Sequence, residues 1–139
     1  MQFITLVASL VAAASAVVAA PAAPEARGSS YLSGTNSGDG TFYATGLGAC
    51  GITNNDSQYI VAVSQDLFDS YPGAGANPNA NPVCNKKIKA SYGGKSVTVT
   101  VTDRCTGCSL TSLDFSPAAF DKLASESVGR IHNVEWTWA

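Results

Sequence analysis

The sequence predicts a small all-β protein: a barrel with short helices, held by two disulfides. Three observations carry this expectation. Lys86 to Asp103 reads as two strands joined by Gly93-Gly94, a β-hairpin. Other short runs of β-branched and aromatic residues are punctuated by Gly, Pro, Asn and Ser. Four cysteines in a chain of 139 residues form an even set, as in small domains stapled for life outside the cell.

Residues 1–20, MQFITLVASLVAAASAVVAA, carry no charge and finish in small residues, the pattern of a secretory signal peptide. A membrane anchor fits less well, because Thr5, Ser9 and Ser15 interrupt an Ala-rich run. Residues 21–37 are largely Pro, Ala, Gly and Ser without apolar periodicity and read as a disordered linker or pro-segment. That leaves 38–139 as one domain, expected to be secreted, extracellular and monomeric.

Within it, Asp39 to Thr45 and Ile60 to Ser64 read as strands, and the glycine-rich GLGACG between them suits neither regular element. Gln65 to Tyr71 makes one short helical turn ended by Pro72, and PGAGANPNANP is a surface loop. In the second hairpin strand Val97, Val99 and Val101 share one face, with Ser96, Thr98, Thr100 and Thr102 on the other. Parity puts Asp103 on the valine face. There it is either a desolvated carboxylate at the barrel mouth, in need of donors, or a plain strand end.

Leu113-Asp114-Phe115 is a further short strand with Asp114 directed away from its apolar neighbours. Ser116 then N-caps a helix with Pro117 at its first position and Phe120, Leu123 and Ala124 on its core face. Val134, Trp136 and Trp138 alternate in a last strand that carries both tryptophans inward as core. His132 lies beside an irregularity, since Ile131 and Val134 fall on opposite parity, and reads as structural.

Eight Lys and Arg against ten Asp and Glu give a net charge of −2, which argues against nucleic acid and other polyanions as partners. Lys86, Lys87, Lys89 and Lys95 cluster on the hairpin and read as solvated protection of an exposed strand edge. Cys50, Cys84, Cys105 and Cys108 can pair in three ways. A zinc site would want a second C-x-x-C or more than the single His132, and the residues after Cys108 do not form the helix that thioredoxin-like chemistry needs. No metal or cofactor is expected. Asn55-Asp56-Ser57 is an N-glycosylation sequon in a polar loop.

GTFYATGLGACG, VTVTVTDRCTGC, LDFSPAAFDKLA and GRIHNVEW, in this order, resemble the RlpA-like double-psi β-barrel family across about residues 38–138. That family includes expansin- and loosenin-type domains, barwin-like proteins and secreted papain inhibitors. The resemblance implies a six-stranded double-psi barrel with a polysaccharide-binding groove across one face, and pairing of Cys50 with Cys84 and Cys105 with Cys108. It implies groove positions at Thr41, Asp103 and Asp114, with Tyr43 as a groove aromatic. Asp114 resembles the general acid of related glycoside hydrolases.

Hydrolysis requires an acid and a second carboxylate as base or nucleophile. Asp103 and Asp114 supply that count, but in the expansin resemblance both lie on one side of the groove and the hydrolases' separate base is missing. The implied function is binding and non-hydrolytic loosening of cell-wall polysaccharide, with Asp114 and Asp103 as the catalytic residues if a bond is cut. The competing readings are inhibition of a papain-like cysteine protease, through the similar loop NPNANPVCNKK, and a barwin-like defence or effector role. No membrane or nucleic-acid partner is expected.

Overall fold

The computed structural model describes residues 30–139, so the expected signal peptide at 1–20 lies outside the described residues. Six strands close into a barrel: β1 (Asn36–Phe42), β2 (Ile60–Ser64), β3 (Lys87–Tyr92), β4 (Lys95–Cys105), β5 (Leu113–Phe115) and β6 (Ile131–Trp138), in the order β1-β5-β2-β4-β3-β6. β1 runs parallel to β5 and β2 parallel to β4; the other pairs are antiparallel. Two short helices complete it, α1 (Gln65–Ser70) and α2 (Pro117–Asp121).

The hairpin forms as expected, with Gly93 and Gly94 at φ 55° and 79°, the backbone that a two-residue turn between twisted strands demands. Its exposed edge does not exist. β3 pairs with β4 on one side and β6 on the other, so the lysines guard no open strand.

Val61, Val63, Ile88, Ala90, Val97, Val99, Val101, Leu113, Phe115, Ile131, Val134 and Trp136 fill the barrel, joined by Leu67 and Phe68 of α1 and Phe120 of α2. Trp138 is half-buried against this cluster and donates from Nε1 to Tyr31 O at 2.8 Å. All five residues of β2 are buried, as befits a strand covered on both faces.

Three details depart from the pattern reading. Within the segment placed by composition in a linker, Tyr31 and Asn36 are buried: the Tyr31 hydroxyl lies 2.9 Å from Ser70 Oγ, and β1 begins at Asn36. One large ring buried on the core outweighs the low overall hydrophobicity of its neighbours. Ser116 sits at the α2 N-cap, but its hydroxyl serves Gln58 O and Ile60 N, tying α2 to β2. Finally, the β2–β4 register skips one residue between Val101 and Asp103, a bulge that buries Thr102 instead of exposing it with Thr98 and leaves its Oγ1 without a partner.

The irregularity at His132 is present: Gly38 faces Val134 and Gly40 faces Ile131, with one extra residue on β6 and Asn133 at φ 61°. No helix among the described residues is long and apolar enough to cross a membrane.

Candidate functional site

The bulge places Asp103 opposite Ala62 of β2, Ala62 opposite Asp114 of β5, and Asp114 opposite Thr41 of β1. Directly paired residues share a face, so Asp103, Ala62, Asp114 and Thr41 form one row across four strands on the outside of the barrel. Asp114 lies outward because its neighbours Leu113 and Phe115 point into the core. The two aspartates are separated by β2, so their Cα atoms stand about 10 Å apart.

Ala62 is nonetheless buried, and Tyr43 explains why. The Tyr43 amide donates to Phe115 O of β5 at 3.1 Å, and its hydroxyl donates to Asp103 Oδ2 of β4 at 3.1 Å. Anchored at its amide to β5 and at its hydroxyl to β4, Tyr43 spans the position of β2 between them, where Ala62 lies in the same row. Burial, then the charge of Asp103 and the bond to it, push the Tyr43 phenol far above its usual range and keep it a neutral donor.

The two carboxylates are used differently. Asp103 Oδ1 accepts from the Ala49 and Arg104 amides, both at 2.8 Å, while Oδ2 takes the Tyr43 hydroxyl. The GLGACG loop reaches it because Gly48 has no side chain: a Cβ there would lie 2.5 Å from Thr102 O and 3.0 Å from Asp103 Cβ. Cys50, two residues on, is bonded to Cys84. Asp103 thus finds donors, but not on the valine face where parity puts it: the bulge after Val101 turns it outward, and β4 runs on past it to Cys105.

Asp114 accepts one side-chain bond, from Thr41 Oγ1 to Oδ1 at 2.8 Å. Burial pushes its carboxyl upward; the Thr41 bond opposes this, Asp103 adds to it, and Arg130 opposes it. The Cys105–Cys108 disulfide stands beside it, each Sγ within 4.8 Å of an Asp114 carboxylate oxygen. These sulfurs are bonded to each other and offer no thiolate to a metal.

A cleft of about 290 Å³ opens from this disulfide and Asp114 toward Asp39 and Arg130. Asp39 bridges Arg130 Nη1 (Oδ2, 3.1 Å) and His132 Nδ1 (Oδ1, 2.8 Å). The bond to His132 lowers the Asp39 carboxyl, burial pulls it slightly back, and Arg130 lowers it further. Sequence reasoning missed Asp39 and Arg130, because 91 residues separate them and nothing in the local pattern joins them. The sequon side chain is exposed, with Asn55 Oδ1 accepting from the Ser57 amide at 3.1 Å.

The family model described as lytic transglycolase, a double-psi β-barrel, matches residues 35–136. The chain belongs to the RlpA-like double-psi β-barrel family. Within that family, an "Allergen Asp f 7 homolog" of Arthroderma benhamiae is 39% identical over 114 residues, covering 71% of this chain and 37% of the relative. A papain inhibitor of Streptomyces mobaraensis is 39% identical over 101 residues, covering 69% of this chain and 66% of the relative. The chain thus spans from about a third to just under two thirds of these relatives' own length.

Among solved structures, a Streptomyces papain inhibitor superposes with a TM-score of 0.70 at 32% identity, over 78% of this chain and 96% of that one. A mutant Clavibacter michiganensis expansin in complex with cellohexaose gives 0.60 at 26% identity, over 76% of this chain and 50% of that one.

Proposed function

We propose that this protein is secreted and binds cell-wall polysaccharide in the groove lined by Thr41, Asp114 and Tyr43, loosening contacts between chains without cutting them. The observation that carries this reading is the asymmetry of the carboxylates. Asp114 keeps one oxygen open to the cleft, whereas Asp103 is committed to three protein donors and is poorly placed to serve as the second group of a hydrolytic pair. The similarity to an expansin bound to cellohexaose supports the substrate class.

In such a groove, sugar hydroxyls exchange bonds with a neighbouring chain for bonds to Asp114 and Thr41. Each exchange is worth about 1 kcal/mol, enough for slippage and far below what breaking a covalent bond requires. Incubation with insoluble polysaccharides, measuring both protein depletion and soluble sugar ends, tests the reading. Binding without released sugar, weakened by Asp114→Asn, is expected. Sugar ends that depend on Asp114 would make it a general acid and overturn the non-hydrolytic part.

A second reading, inhibition of a papain-like cysteine protease, is favoured by the likeness to a Streptomyces papain inhibitor both in sequence and among solved structures. Two loops would serve it, since the Cys50–Cys84 bond ties the GLGACG loop, with Leu47 76% exposed, to the loop carrying Asn77 to Asn81. Under this reading, deleting part of Asn77 to Asn81 abolishes inhibition of papain while Asp114→Asn leaves it intact.

A further inference from the structure

Half of the chain's eight Lys and Arg lie on or beside β3: Lys86, Lys87, Lys89 and Lys95, all exposed. Because the barrel is closed, they protect no edge, and none takes part in an ion pair among the described residues. Lys87 Nζ donates only to Thr100 Oγ1, at 3.2 Å. Around the barrel β3 lies opposite β5, so these cations sit on the far side from Asp114. A net charge of −2 therefore conceals a face that is locally cationic.

We propose that the outward face of β3, centred on Lys87 and Lys89, is a second binding surface that takes an acidic polysaccharide, a chain bearing carboxylates along its length. Ile88 and Ala90 point into the core, so Lys87, Lys89 and Ser91 share the outer face, with the two ammonium stems rooted about 7 Å apart along the strand. Their cross-strand partners are hydroxyl residues: Thr100, Thr98 and Ser96 on β4, and Thr137 on β6. These donate to and accept from sugar hydroxyls while the lysines meet the carboxylates.

A shallow cleft of about 230 Å³, lined in part by Lys89, Ser91 and Thr137, gives a sugar ring somewhere to rest. Glu135, opposite Ser91 and on the rim of the same cleft, is the opposing carboxylate side chain on this face among the described residues, and it leaves the cations in excess. The large exposed apolar residues, Leu47, Tyr59 and Val128, all lie off these strands. The face therefore lacks the aromatic platforms of single-stranded nucleic-acid binders and the apolar edge of membrane-surface binders.

This surface stands apart from the groove and is tested separately. The protein would be titrated with polygalacturonate, with a neutral glucan and with vesicles of anionic phospholipid, at low salt and at about 0.5 M salt. The expected result is binding to polygalacturonate that is lost at high salt and weakened roughly tenfold in a Lys87→Gln/Lys89→Gln protein. Neutral-glucan binding should stay unchanged in that variant. Wild-type affinity in the double variant, or no salt-sensitive binding at all, would overturn the proposal. Equal or tighter binding to the vesicles would assign the face to a lipid surface instead, and likewise overturn it.

Discussion

The groove has two ends built from the same parts, a carboxylate and a disulfide, put to opposite uses. At one end Asp103 gathers Tyr43, Ala49 and Arg104, and Cys50–Cys84 fastens the loop that delivers Ala49. At the other, Asp114 holds one hydroxyl, and Cys105–Cys108 forms a wall beside it. A carboxylate saturated by the protein builds structure; one left half-satisfied is available to a ligand. Ala62, between them in the row that Tyr43 spans, separates the two roles.

The sharpest way to break this comparison is to remove each disulfide. The closure-entropy relation gives about 4 kcal/mol for Cys50–Cys84, with a sequence separation of 34, and less than half of that for Cys105–Cys108, with a separation of 3. Chemical denaturation of the Cys50→Ala/Cys84→Ala and Cys105→Ala/Cys108→Ala proteins should show that ranking, with polysaccharide binding lost disproportionately in the second. Equal destabilisation would mean that the two ends are not mechanically distinct.

Asp103→Ala leaves three donors without their acceptor and should cost about 3 kcal/mol, whereas Asp114→Asn should cost under about 1 kcal/mol yet weaken groove binding. Thermal unfolding and a binding assay on the same two proteins decide it. A stable Asp103→Ala protein would contradict the structural role assigned to that residue. Ala62→Leu enlarges a buried side chain in the row that Tyr43 spans; about 2 kcal/mol of destabilisation and weaker binding are expected together.

Thr102→Val should be the exception, a core substitution that stabilises by up to about 1 kcal/mol in urea unfolding, because the buried Oγ1 has no partner to lose.

The smallest effect is a pH dependence. Asp114 is raised in the folded state, so its linkage contribution is fully present below its ordinary value of 3.8 and is lost as pH rises through its folded value. Asp39 is lowered, so its contribution is present above 3.8 and fades as pH falls below that. Unfolding free energies measured across the acid range should show the wild type losing ground to Asp114→Asn as pH climbs above 3.8, and Asp39→Asn should remove a trend of the opposite sign.

Much of this was legible in the chain. The hairpin, β5 and the inward tryptophans follow from period-two alternation, and β2 from its short run of β-branched residues, local properties that survive into the barrel. Asp114 was readable for the same reason, as the odd residue between Leu113 and Phe115. Asp103 was only half readable. Parity placed it in the valine row, and a bulge that no residue type announces turned it outward. The lysines were misread as edge protection because closure is a relation between β3 and β6, whose paired residues lie 44 to 50 positions apart in the chain.

The sequence by itself determined the strands, the turn at Gly93-Gly94, the even set of cysteines and, through four motifs in order, the family. Those are written in local spacing and residue chemistry. Only the tertiary structure decided which cysteines pair, which carboxylate is saturated, that Asp39 joins Arg130 and His132, and that the hairpin lysines face away from the groove. Each of these depends on strands brought together across long separations, where the energy of a contact is set by partners that the local pattern does not name.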